Sequence, residues 1–212
     1  MIIAFSFLSL LSENYKNSII KFNSFNKNNW LHYDVMDGQF VGNKTFDHRL
    51  VGEISKYNKL FNDVHLMIEN PIDYIEKYVS NGADQITFHY ESISKDKIQD
   101  VIRKIKKLNV KVGISIKPST KVEVLDDYLC DLDYILIMSV EPGKGGQKFM
   151  ESCIDKIKYL KSKKSDNHYL IGVDGGIDNT TSKLVKDAGA DVVVIGTYLA
   201  NNLNSGTIDI CK

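Results

Sequence analysis

Eight short apolar segments recur along this chain, and their spacing restricts the possible folds more than any other feature. They occupy residues 2–8, 30–35, 61–67, 84–88, 110–116, 134–140, 169–173 and 192–195. Most are rich in Ile, Val, Leu or Phe and nearly continuous in apolarity, as strands buried on both faces are. Between them lie helix-length stretches with apolar residues three and four apart. Ile72, Ile75 and Val79 form one stripe, Ile98, Val101, Ile102 and Ile105 a second, and Ile154, Ile157 and Leu160 a third. Strand and helix alternating eight times predict parallel strands with helical crossovers. In 212 residues this is an α/β chain of the (β/α)8 TIM-barrel class, read as one domain over residues 1–212. An open doubly wound sheet is the alternative, weakened by the lack of a GxGxxG after the first segment.

Charge and cysteine content narrow the function. Lys plus Arg and Asp plus Glu number 27 each, so the net charge is zero. That balance argues against a nucleic-acid or anionic-membrane partner. Cys130, Cys153 and Cys211 form no CxxC pair, which points to a reducing, cytoplasmic setting rather than a disulfide framework. The apolar run over residues 1–15 resembles a signal-peptide core but has no basic flank and no small-residue cleavage site, and it is too short to span a bilayer. It is read as a buried first strand.

A barrel places its chemistry at the C-terminal ends of its strands, and the chemistry-bearing residues fall there. Ser6 is late in the first segment, His32 and Asp34 close the second, and His65 closes the third. Lys117 follows the fifth, residues 143–146 (GKGG) the sixth, Asp174 the seventh, and Gly196-Thr197 the eighth. His32, Asp34 and Met36 alternate along LHYDVMDGQF, so their side chains share one face of a strand.

His32, Asp34, His65 and Asp174 offer two imidazoles and two carboxylates. That set suits one divalent metal ion, Zn²⁺ foremost, with Fe²⁺, Mn²⁺ or Co²⁺ also acceptable, and leaves two carboxylates to move a proton. The competing reading is four separately satisfied core groups, which the cost of burying unpaired charge disfavours for the set as a whole. Met36, Met67 and Met138 lie at comparable strand ends and read as ordinary core, or as a soft apolar wall around the metal. Gly143, Lys144, Gly145 and Gly146, then Gly175-Gly176, then Gly196-Thr197 are either turn residues or a phosphate cradle, and barrels hold phosphate in their last loops. Ser6 is equally a ligand contact or a core hydroxyl. His89 has no evident partner and reads as structural or rim. Lys117 is either a Schiff-base lysine or, more in keeping with its place before Pro118, a solvent-facing one.

With these residues in place, the chain resembles the ribulose-phosphate 3-epimerase family, metal-dependent barrels of the ribulose-phosphate-binding type. LHYDVMDGQFVGN, DVHLMIENP, DYILIMSVEPGKGGQKF and VDGGI followed by AGADVVVIGT occur in the family's order, from Ser6 to Tyr198. The resemblance implies His32, Asp34, His65 and Asp174 as metal ligands and Asp34 with Asp174 as the acid/base pair. It implies Ser6 and His65 as substrate contacts, the three glycine segments as substrate and phosphate loops, and Met36, Met67 and Met138 as the lining of the metal pocket. It also implies a ketopentose phosphate substrate and a homo-oligomer, dimer or hexamer. The chain departs from the family pattern at Phe5 and Gly42, where Pro is usual, and at Leu11, near which an Asp is usual. Lys117 replaces Asn and Lys144 replaces an aromatic residue, and the segment after Thr197 is short and Asn-rich.

The implied reaction is epimerisation of D-ribulose 5-phosphate to D-xylulose 5-phosphate at C3 through a cis-enediolate. Asp34 serves as base in that direction and Asp174 as acid, on opposite faces of the sugar. Epimerisation of a longer ketose such as allulose 6-phosphate would need the same groups. A non-catalytic phosphosugar-binding barrel would not need the opposed carboxylates.

Overall fold

Every apolar segment forms a strand of one closed parallel barrel. The computed structural model describes residues 1–11, 15–164 and 168–211, with the side chain of Ile210 left aside. The strands are β1 Ile2–Ser6, β2 Trp30–Met36, β3 Phe61–Met67, β4 Gln85–His89, β5 Lys111–Ile116, β6 Tyr134–Met138, β7 Leu170–Asp174 and β8 Val192–Ile195. Each pairs with its sequence neighbours, and Ile2↔Val192 through Phe5↔Ile195 close the ring. That closure excludes the open doubly wound sheet; the N-terminal run gives strand β1 over Ile2–Ser6 and then a 3-10 turn over Phe7–Leu10, and its residues 12–14 lie outside the described residues.

Around the barrel lie α1 Tyr15–Asn23, α2 His48–Ser55, α3 Ile75–Ser80, α4 Ile98–Lys107, α5 Cys153–Ser162, α6 Thr181–Ala188, α7 Thr197–Asn201 and α8 Ser205–Cys211. The clearest stripe behaves as expected: Ile98, Val101, Ile102 and Ile105 are fully buried, each stabilising the fold by about 2 kcal/mol through its buried apolar surface. Ile72 lies in a 3-10 turn ahead of α3 rather than in the helix, because Pro71 opens that turn.

The expected eightfold alternation fails once. Between β5 and β6 the described chain forms two 3-10 turns, Val122–Leu125 and Leu129–Asp131, and no α-helix. Pro118 bars a helical conformation just before it, and Asp133 is tied back to the Val112 N–H at 3.0 Å. Tight turns span the interval and still bury Val122, Leu125 and Leu129. No described helix is long and apolar enough to cross a membrane. The cysteines are free, with Cys130 exposed and Cys153 and Cys211 buried.

The end of the barrel away from the site is closed by a repeated device. An Asp just before a strand accepts the N–H of the second residue of the preceding strand. Asp84 takes Asn62 N–H at 2.8 Å, Asp133 takes Val112 N–H at 3.0 Å, and Asp191 takes Ile171 N–H at 2.8 Å. Strand edges that would start with an unmatched donor are thereby satisfied.

The barrel interior is divided. Ala4, Tyr134, Leu136, Val192 and Val194 make one wall apolar. His32, Asp63, His65, Gln85, Thr87, His89 and Ser115, all buried, make the other polar. The pleat sends Leu31, Tyr33 and Val35 outward to the helices and His32, Asp34 and Met36 inward. All seven β2 residues are buried, so β2 has a core on both sides.

Candidate active site

Register brings the four candidate ligands together. Asp34 pairs with His65 across β2 and β3, Ser6 with His32 across β1 and β2, and Met138 with Asp174 across β6 and β7. His32, Asp34, His65 and Asp174 each offer one ligand atom, and these atoms lie within 4.8 Å of one another. Asp34 Oδ1 is 3.3 Å from His32 Nε2 and 3.4 Å from His65 Nδ1. Asp174 Oδ2 is 3.9 Å from both ring nitrogens. His65 Nδ1 is buried and has no hydrogen-bond partner among the described residues. A buried, unsatisfied nitrogen aimed at two carboxylates is costly alone and fits a cation between them. The donor set of two nitrogens and two oxygens fits a divalent metal on the same ground.

The two carboxylates experience opposite fields. Burial works to raise the Asp34 pKa, but the neighbouring His32 imidazole outweighs it and holds the carboxylate well below its usual range. Burial, reinforced by the nearby Asp34 charge, pushes Asp174 up to about 7. Burial opposes a charge on His32, yet Asp34 and Asp63 raise its pKa. Burial lowers His65 and carries His89 down to about 4.

Above this cluster opens a cleft of about 360 Å³. Ser6, Asp34, Met36, Met67 and Met138 form its floor and sides. Asp174 lines it beside them from the end of β7, and the loop residues Gly143, Lys144, Gly145, Gly146, Gly175, Gly176, Gly196 and Thr197 complete its lining. His32 and His65 lie beneath, fully buried. Ser6 Oγ donates to Asp34 Oδ2 at 2.6 Å, so its hydroxyl both lines the cleft and steadies the carboxylate. The glycine loops converge: a Cβ on Gly145 would sit 4.0 Å from Thr197 Oγ1. Asn43 Nδ2 donates to Gly143 O at 2.7 Å, and Gln147 Nε2 donates to Glu141 O and Lys144 O at 2.6 and 2.9 Å. At Gly176 the loop requires glycine, since φ is +62° and a Cβ would lie 2.6 Å from Phe149 N.

Three residues differ from expectation or escape it. His89 is neither at the rim nor without partners: it is fully buried, with Nε2 2.9 Å from His65 Nε2 and Nδ1 3.2 Å from Glu91 Oε2. Burial inside the polar wall hid these partners from a linear reading. Lys117 is half-buried rather than free in solvent, its ammonium 4.1 Å from the Phe40 ring centroid, a cation–π contact. Asp63, which no motif reading marks, accepts from His32 Nδ1 at 2.7 Å and from Gln85 Nε2 at 2.8 Å. Its signal was present, because Asp63 stands two residues before His65 and so faces the same interior.

Residues 2–200 match the sequence model of the ribulose-phosphate 3 epimerase family. The chain belongs to that family. Ribulose-phosphate 3-epimerase of Chlamydia pneumoniae is 41% identical over 174 residues, covering 80% of this chain and 75% of the relative. The Aquifex aeolicus ribulose-phosphate 3-epimerase is 43% identical over 169 residues, covering 79% and 75%. Membership makes the chain a carbohydrate epimerase. Among solved structures, KGPDC from Streptococcus mutans superposes with a TM-score of 0.71 at 14% identity, covering 99% of this chain and 94% of that one. That likeness shows the shared barrel. Against the epimerase family pattern, the departures lie outside the His/Asp cluster. Phe5 turns outward, its ring 5.1 Å from Phe22, Leu11 is exposed, and Gly42 has open space where a side chain would be.

Proposed function

We propose that the chain interconverts D-ribulose 5-phosphate and D-xylulose 5-phosphate by inverting C3, with Asp34 and Asp174 as the proton-moving pair. The observation that carries this reading is the placement of two carboxylates, Asp34 from β2 and Asp174 from β7, in one cluster that lines the cleft, with the ligand atoms of the four residues within 4.8 Å of one another. Asp34 is held ionised beside His32, while Asp174 is pushed up to about 7. Two acids in one site with separated affinities for a proton are suited to opposite roles. In the ribulose direction Asp34 takes the C3 proton from one face. Asp174, from β7 across the barrel, delivers a proton to the other face of the cis-enediolate. The roles exchange in reverse.

His32, Asp34, His65 and Asp174 would hold one divalent ion, zinc foremost. When bound, that ion would supply Lewis-acid stabilisation of charge developing on the substrate oxygens. The rest of the task falls to the chain. Ser6 and Asp63 orient Asp34 and His32, and Met36, Met67 and Met138 exclude water from the floor. The glycine-rich loops at 143–146, 175–176 and 196–197 present backbone N–H groups to the phosphate end of the sugar. A longer ketose phosphate would engage the same groups, and comparing turnover on the two sugars separates the readings.

The test is incubation with D-ribulose 5-phosphate in D₂O, with Zn²⁺ or Fe²⁺ and again with chelator, followed by NMR. Deuterium at C3 of product, formed only with metal, is the expected result. Product lacking deuterium at C3 would overturn the proton-transfer assignment.

A further inference from the structure

We propose that His89 and Glu91 form a positioning relay that holds His65 in the tautomer whose bare Nδ1 faces the His/Asp cluster. The proposal rests on the metal reading above and extends it to residues outside the ligand set. The relay is anchored in the loop after β5. The Lys117 N–H donates to Glu91 Oε1 at 2.8 Å, and the Thr120 hydroxyl donates to the same oxygen. Lys156, from α5, pins that loop by donating to the carbonyls of Lys117, Pro118 and Thr120 at 3.0, 2.7 and 2.7 Å. Glu91 is thus anchored through one oxygen and presents the other, Oε2, to His89 Nδ1 at 3.2 Å.

A carboxylate oxygen only accepts. The proton of a neutral His89 therefore resides on Nδ1, and its Nε2 carries a lone pair. That nitrogen lies 2.9 Å from His65 Nε2. One proton must lie between them, and His65 supplies it. With its proton on Nε2, His65 keeps a lone pair on Nδ1. This is the atom that lies 3.4 Å from Asp34 Oδ1 and 3.9 Å from Asp174 Oδ2. A ligating imidazole needs a lone pair there, and its other nitrogen is generally oriented by a partner of this kind. Phe40 roofs the relay, its ring centroid 4.8 Å from that of His89. Both imidazoles of the relay are fully buried.

Glu91→Gln tests the relay because it is nearly isosteric yet reverses the order of donors. Lys117 N–H and Thr120 both need an acceptor, so the amide oxygen takes the Oε1 place and the NH₂ faces His89. His89 then accepts at Nδ1 and donates from Nε2. His65 must accept at Nε2 and carry its proton on Nδ1, where a cation would sit.

Two measurements decide. Zn²⁺ affinity of the metal-free protein is measured by competition with a chromophoric chelator, alongside thermal unfolding. E91Q is expected to bind Zn²⁺ at least about tenfold more weakly than wild type while melting cooperatively. Equal affinity in both proteins would overturn the relay and leave the metal site standing. No Zn²⁺ binding by wild type would overturn the metal reading and the relay with it. Independently, ¹⁵N NMR of the metal-free wild type reports the His65 tautomer without any variant. An unprotonated Nδ1 is expected, and a protonated Nδ1 would overturn the proposal even if E91Q fails to fold.

Discussion

Asp34 and His65 face each other directly in the β2–β3 ladder, with Asp34 Oδ1 3.4 Å from His65 Nδ1. This one pairing couples the fold to the chemistry. A slip of a single residue along β2 would turn His32, Asp34 and Met36 out toward the helices and bring Leu31, Tyr33 and Val35 into the interior. The apolar outer face of β2 therefore also locks the site in register.

On the proposed mechanism, Asp34→Asn keeps shape and volume but removes the charge that would take up the C3 proton. Turnover is expected to fall by at least about a thousandfold. Circular dichroism and thermal unfolding should report a folded barrel. Appreciable epimerisation by this variant would remove Asp34 from the mechanism.

Asp63→Asn weakens the grip on His32, whose Nδ1 donates to Asp63 Oδ2 at 2.7 Å. Metal affinity is expected to drop about 10–100-fold. Part of the loss is structural, because Gln85 also donates to Asp63. A Zn²⁺ titration at constant folded fraction, checked by near-UV dichroism, separates the two effects.

The raised pKa of Asp174 has a definite pH signature in the metal-free chain. Its folded value is about 7 against 3.8 for an ordinary Asp. Between those values the folded state binds the proton and the unfolded state has released it. Asp174 therefore subtracts stability as pH rises through that window, by at most about 1.4 kcal/mol per pH unit. Asp174→Asn should gain stability over wild type across that window and keep the gain above it. Urea unfolding with chelator at pH 5, 6, 7 and 8 measures the difference, and a difference constant with pH would count against the assignment. Turnover of the variant should be lost throughout.

Asp133→Ala acts at the other end of the barrel. It removes the acceptor of the Val112 N–H at 3.0 Å and of Lys111 Nζ at 2.6 Å. Leaving a strand N–H unmatched should cost about 1–3 kcal/mol. The kcat on D-ribulose 5-phosphate should stay within about twofold of wild type, since the change is far from the cleft mouth. Chemical denaturation and a coupled turnover assay would read the two effects side by side.

The parallel strands, their interior faces and the four candidate ligands were legible in the chain because they depend on local periodicity. His32, Asp34 and Met36 alternate, and alternation alone puts them on one face. The helix missing between β5 and β6 was not legible. Its apolar residues, Val122, Leu125 and Leu129, keep helical spacing while the backbone turns more tightly. His89 and Glu91 were equally opaque, although they stand two apart as His32 and Asp34 do. Their importance lies in partners at His65, Lys117 and Thr120.

The amino-acid order by itself determined which residues alternate, which strands are buried on both faces, and where glycine permits a close loop. Closure of the barrel alone decided who meets whom. It set Asp174 from β7 beside Asp34 from β2, and divided the interior into an apolar and a polar wall. It also drove the proton affinities of the two carboxylates apart, because burial and neighbouring charge act through space and depend on distances that only the closed sheet creates.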